Sequence, residues 1–203
     1  MLLILMSLAT GFFGCQPPDT NQSPDRPEAS PTTPISTPTQ FTRQGENPMS
    51  SITQTLTLNS PAFQHQQAIP SQYTCEGQDI NPPLEISGIP ENTQTLALIV
   101  DDPDAPNGVW DHWLLWNISP ETTRIAESEP PREAVSGTNS FGLREYGGPC
   151  PPSGTHHYHF RLYALDTDLN LPIGARKKEL ERAMQGHILA KAELVGTYRK
   201  GSA

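Results

Sequence analysis

Between residues 95 and 165 the chain moves between unbroken apolar runs and strict two-residue alternation, and both patterns belong to strands. Thr95–Val100 (TLALIV) and Val109–Ile118 (VWDHWLLWNI) are continuous runs, as in strands covered on both faces. Tyr158–Leu165 (YHFRLYAL) alternates, with Phe160, Leu162 and Ala164 on one side and His159, Arg161 and Tyr163 on the other, which marks a strand with one buried face. Upstream, Ile52, Leu56 and Leu58 recur at even spacing, predicting a half-buried strand, and Leu84–Ile86 predicts a short one. Leu180, Ala183, Met184, His187 and Ile188 recur at three- and four-residue spacing, so an amphipathic helix is expected over Lys177–Ile188. The period then returns to two from Ala190 to Tyr198, predicting a closing strand. Prolines and glycines make residues 59–83 a long ordered loop, and residues 119–147 are polar, turn-rich and without a helical pattern. The whole describes one mainly-β domain over residues 52–200, long enough for a single core.

The first 51 residues do not fit that domain. Residues 1–14 (MLLILMSLATGFFG) are almost wholly apolar and end just before Cys15, the pattern of an export signal. It resembles a bacterial lipoprotein signal, in which the cysteine becomes the acylated first residue, although no Lys or Arg precedes the apolar run. A plain cleaved secretory signal is the alternative. Residues 15–51 are dominated by Pro, Thr, Ser and Gln and have scarcely an aliphatic side chain to bury. Such a stretch cannot offset the entropy of ordering, so a disordered tether is expected, stiffened toward polyproline II.

Charge and cysteine content narrow the partners. A formal net charge of −9 excludes nucleic acid and an anionic membrane surface as main partners, since both require a positive field. The longest basic run, Arg176–Lys178, reads as a solvated face. A lipid at Cys15 would leave Cys75 and Cys150, which either pair in an oxidising compartment or remain reduced and buried.

The candidate chemistry sits in two stretches, Asp101–Trp116 (DDPDAPNGVWDHWLLW) and Gly147–Tyr158 (GGPCPPSGTHHY). Asp101, Asp102 and Asp104 crowd four positions and repel one another, so they need donors, a cation or solvent. His112, His156, His157 and Tyr158 are near enough in pattern to supply donors. A carboxylate that accepts from an imidazole orients the ring, favours its charged form and leaves an N–H pointed outward. Two such rings, a tyrosine hydroxyl and backbone N–H groups at Gly147 and Gly148 would form an anion cradle. A metal site is weighed against this, but no compact ligand spacing occurs and no cofactor is implied. Nucleophilic catalysis through Ser153 or Cys150 lacks an elbow motif, and hydrolysis by Asp102 and Asp104 lacks two flanking positions. His65, His159 and His187 read as ordinary histidines.

DPDAP at 102–106, His112–Trp113, GPCPPSGTHHY at 148–158 and ELVGTY at 193–198, with YTCEG at 73–77 and INPPLEI at 80–86, resemble the phosphatidylethanolamine-binding protein family. The likeness is to its short bacterial Raf-kinase-inhibitor-like branch. It implies a large antiparallel central sheet flanked by a smaller sheet, with a C-terminal helix. It also implies a non-enzymatic pocket for phosphate-like anions or a phospholipid headgroup, to which Asp102, Asp104, His112, Gly148, His156 and Tyr158 correspond. His157 stands where many relatives carry arginine. The expectation is an exported domain of a bacterial cell envelope, joined to the membrane only through an N-terminal lipid at Cys15. The other expectation is a regulator of a protein partner such as an envelope protease.

Overall fold

The computed structural model describes residues 55–201. The export signal over 1–14, the lipidation site Cys15, the tether over 15–51 and Ile52 lie outside the described residues.

The elements are β1 (Thr57–Asn59), β2 (Gln67–Ala68), β3 (Leu84–Ser87), β4 (Thr95–Asp102), β5 (Trp110–Ile118), β6 (Arg124–Ile125), β7 (Val135–Ser136), β8 (Thr155–Leu165), α1 (Lys177–Met184) and β9 (Ile188–Arg199). A six-stranded sheet runs in the order β2-β9-β8-β4-β5-β7, and a three-stranded sheet in the order β1-β3-β6. The large sheet is antiparallel except at one edge, where β2 pairs parallel to β9. It is therefore mixed rather than wholly antiparallel, because the long loop before β3 lays two residues along the closing strand.

All eight residues of β4 are buried, as its unbroken apolar run requires in a sheet covered on both faces. On one face Leu96, Leu98 and Val100 meet Trp113, Phe160, Leu162 and the small sheet's Leu58, Leu84 and Ile86. On the other, Ala97 and Ile99 meet Leu114, Trp116 and the helical Leu180 and Met184. Three layers result: small sheet, large sheet, helix. The same two-residue alternation sends Asp101 toward the helix side and Asp102 to the opposite side.

Helix α1 stops at Met184, four residues short of the expected Ile188. Gly186 takes a left-handed conformation at φ +83° and ends it, so His187 lies in the turn and Ile188 opens β9. Eight residues cannot sustain a helix alone in water. Burial of Leu180 and Met184, worth roughly 2 kcal/mol each, holds it against the sheet. Its first residue, Lys177, departs from the solvated face expected of the basic run: the ammonium bonds to Asp101, which Arg161 also clasps at 2.6 Å. Burial works against the Lys177 charge, but the bonds to Asp101 outweigh it and hold the pKa above its ordinary value.

Strand β1 is shorter than the even spacing suggested, three residues with Leu58 paired to Ile86. Two cross-strand pairs in the small sheet, Leu84 with Ile125 and Glu85 with Arg124, come from a segment whose pattern predicts only turns. Among the described residues no helix is long and apolar enough to cross a membrane.

Candidate functional site

The C-terminal end of β4 and the N-terminal ends of β5 and β8 converge at one end of the large sheet. A cleft of about 370 Å³ opens there, lined by Asp102, His112, His156, Trp110, Phe141, Cys150 and the prolines and small residues of two loops. The two stretches singled out in the sequence thus share one cavity. Proline at 106, 151 and 152 fixes backbone φ around it, so the walls are set before any ligand arrives.

Asp102 is the hinge of the arrangement. Its Oδ2 accepts from His156 Nδ1 at 2.7 Å, both side chains being almost wholly buried. Its Oδ1 accepts from the Asp104 backbone N–H at 2.8 Å, closing the DPD turn on itself. Asp104 does not line the cleft. It turns outward, half exposed, and takes both the backbone N–H and Nδ1 of His157, at 2.9 and 2.7 Å. The bond from the His157 ring holds the Asp104 pKa below the usual carboxylate value. The repulsion expected among the three carboxylates is relieved by giving each its own cation or imidazole.

His112 is held differently from the expectation. Its Nδ1 donates to the backbone carbonyl of Gly147 at 2.6 Å, not to a carboxylate. Burial lowers the ring's pKa; the bond to Gly147 and the charges of Asp102, Asp101 and Asp111 act the other way without reversing it. Burial thus favours the neutral ring. Phe141 and Tyr158 pack edge-on against it, with centroids 5.4 and 5.2 Å away.

Tyr158 lies beneath the cleft rather than in its wall. The hydroxyl is buried with no hydrogen-bond partner among the described residues. Burial, with Asp102 close by, raises its pKa well above the ordinary phenol, so it remains a donor.

The backbone cradle at Gly147 and Gly148 is not formed. The N–H of Gly147 donates to His112 O at 3.1 Å, and that of Gly148 to Asp79 Oδ1 at 2.6 Å. Neither glycine has a positive φ. Gly148 is there for close packing: a Cβ would sit 2.5 Å from Asp79 Oδ1 and 2.6 Å from Tyr73 O. It lines a neighbouring cavity, of about 450 Å³, behind the loop.

The two remaining cysteines are joined. Cys75 and Cys150 form a disulfide with Cα atoms 5.5 Å apart, tying the loop at 71–79 to the cleft wall. Asn139 does a similar task from the other side and was not legible in the sequence. Fully buried, it donates to His112 O and Glu145 O and accepts from the N–H groups of Phe141 and Leu143. Trp110, from the first candidate stretch, and Phe141, outside both stretches, pack edge-to-face at the mouth. An aromatic within an otherwise polar turn segment was the available signal for Phe141. Among the described residues no group of three His, Cys, Asp or Glu is placed to hold a metal ion.

Layering, connectivity and cleft together define a β protein of the phosphatidylethanolamine-binding type: mixed large sheet, small sheet, C-terminal helix, and a histidine-bearing cavity at the strand ends. The chain belongs to the phosphatidylethanolamine-binding protein family, whose sequence profile matches residues 59–199. It is 51% identical over 149 residues to a UPF0098 protein of Pyrococcus horikoshii, covering 70% of this chain and 75% of that one. To a UPF0098 protein of Methanothermobacter thermautotrophicus it is 50% identical over 151 residues, covering 72% of this chain and 100% of the relative. Among solved structures it resembles a phosphatidylethanolamine-binding protein homolog from Chlamydia trachomatis, with TM-score 0.70, 43% identity, and coverage of 72% and 99%. It also resembles YbcL of Escherichia coli, with TM-score 0.66, 30% identity, and coverage of 71% and 98%.

Proposed function

We propose that the domain is a non-enzymatic binding module for a small phosphate-like anion, free or as a phospholipid headgroup, held in the cleft between His112 and His156. One observation carries this: imidazoles from separate strands open on a single preformed cavity, with Asp102 fixing one ring and Gly147 O the other. Family membership supports small-anion binding in general. Binding without turnover is favoured by the lining. Cys150, the one thiol-bearing residue there, is spent in a disulfide, and no serine or threonine lines the cavity. The test is an NMR titration with phosphate and phosphoethanolamine. Shifts of the His112 and His156 ring signals at millimolar ligand are expected; unchanged signals would remove the proposal.

An exported, lipid-anchored location at Cys15 belongs to the same proposal. The disulfide supports an oxidising compartment. Metabolic labelling with a palmitate analogue in cells making the protein and its Cys15→Ala variant checks it, label in both or neither counting against the anchor.

A second reading, regulation of a protein partner such as an envelope protease, is favoured by the mouth of the cleft. Trp110 and Phe141 are 37% and 43% exposed there, the residue types that anchor protein interfaces. Pull-down from an envelope extract separates the two readings, since only this one requires a stoichiometric protein partner that survives washing.

A further inference from the structure

The two imidazoles that line the cleft have fixed hydrogen-bonding roles, and these narrow what it can hold. A carbonyl oxygen only accepts, so His112 Nδ1, 2.6 Å from Gly147 O, carries that ring's proton. The Asp102 carboxylate likewise draws the His156 proton to Nδ1. In a neutral ring the remaining Nε2 is a lone pair. Neither Nε2 is hydrogen-bonded among the described residues, and both rings line the cavity.

The charges of Asp102 and Asp101 from β4 and of Asp111 on its own strand reach His112, Tyr158 from β8 and the apolar Phe141 from the loop pack edge-on against it, and His156 lines the same cavity. Those carboxylates favour a second proton on the ring, yet burial outweighs them. No Lys or Arg lines the cleft. A fully ionised anion would therefore meet a carboxylate, a lone pair at His112 and no permanent cation. An acid that keeps an O–H meets an acceptor at the same place. Its charged oxygens are left to His156, beside the Asp102 carboxylate, and to Asn107, whose amide also lines the cleft.

We infer that the cleft selects tetrahedral oxoacids that retain a proton, above all phosphate monoester monoanions, whose P–OH donates to His112 Nε2, over phosphodiesters of equal charge that have no proton to give. This rests on the anion-binding reading above and deepens it: a headgroup freed from its lipid as a monoester fits, and the intact diester does not.

Calorimetry at pH 5.5 with three probes tests it, since a phosphate monoester loses its second proton near pH 6. Phosphoethanolamine should bind at least tenfold more tightly than dimethyl phosphate or ethanolamine, and its affinity should fall as pH rises through about 6 to 7. In the complex the His112 Nε2 ¹⁵N signal should remain that of an unprotonated nitrogen. Equal affinity for monoester and diester, or a doubly protonated His112 in the complex, would overturn the selectivity while leaving anion binding intact. Ethanolamine binding as tightly as phosphoethanolamine would show that the ammonium is what is recognised, and overturn it too. Failure of every phosphate to bind would overturn both readings.

Discussion

Asp102 Oδ2 stands 2.7 Å from His156 Nδ1, with only 5% and 8% of the two side chains left to solvent. In so dry a setting the carboxylate fixes both the tilt of the ring and which nitrogen carries the proton. Asp102→Asn keeps the shape but replaces an acceptor-only group with one that can also donate. Phosphate affinity should fall at least tenfold, with a stability loss of about 1–3 kcal/mol, read by calorimetry and urea unfolding. Wild-type affinity in a folded Asp102→Asn protein would contradict the role assigned to this pair.

The Cys75–Cys150 bond closes a segment of 75 residues. On the chain-entropy account that contributes about 4 kcal/mol. A Cys75→Ser, Cys150→Ser double variant should unfold at clearly lower urea. It should also bind phosphate more weakly, because Cys150 forms part of the cleft wall. Loss of stability with unchanged binding would mean that the wall holds its shape without the bond.

Lys177→Met tests the network on the helix side of the sheet. Asp101 is fully buried and keeps Arg161 when Lys177 is removed, so the cost should be below the roughly 3–5 kcal/mol of an orphaned buried charge, about 1–3 kcal/mol. Ligand affinity should not move, since Asp102, not Asp101, faces the cleft. An affinity change of tenfold or more would show that the two faces are coupled.

The pH dependence of stability follows from His112. Its folded pKa is depressed, chiefly by burial, whereas the unfolded ring titrates near 6.5. As pH falls below about 6.5 the unfolded chain takes up a proton that the folded ring resists, so stability is full above that pH and declines below it. His112→Gln should flatten this slope below about pH 6.5 in melting experiments. An unchanged slope would mean that other groups govern the acid limb.

Much of this architecture could be read before any coordinates, where the signal was local. The apolar run of β4 and the alternation of β8 follow directly from covering two faces or one. The pairing of Lys177 is invisible to local pattern because its partner Asp101 lies 76 positions away in sequence and meets it only through the sheet's layering. The helix end was missed because hydrophobic spacing continued past Gly186, whose left-handed backbone overrode it. In the cleft, the motif residues were nameable, but their roles depended on contacts no pattern reveals. His112 finds a carbonyl instead of a carboxylate, and Gly148 spends its N–H on Asp79.

A crystal soaked with phosphoethanolamine at pH 5.5 tests the central claim most directly. The account predicts a phosphate group seated between His112 and His156, with oxygens within hydrogen-bond reach of both Nε2 atoms and the Asp102–His156 pair intact. An empty cleft at saturating ligand, or phosphate bound only elsewhere on the surface, would contradict it.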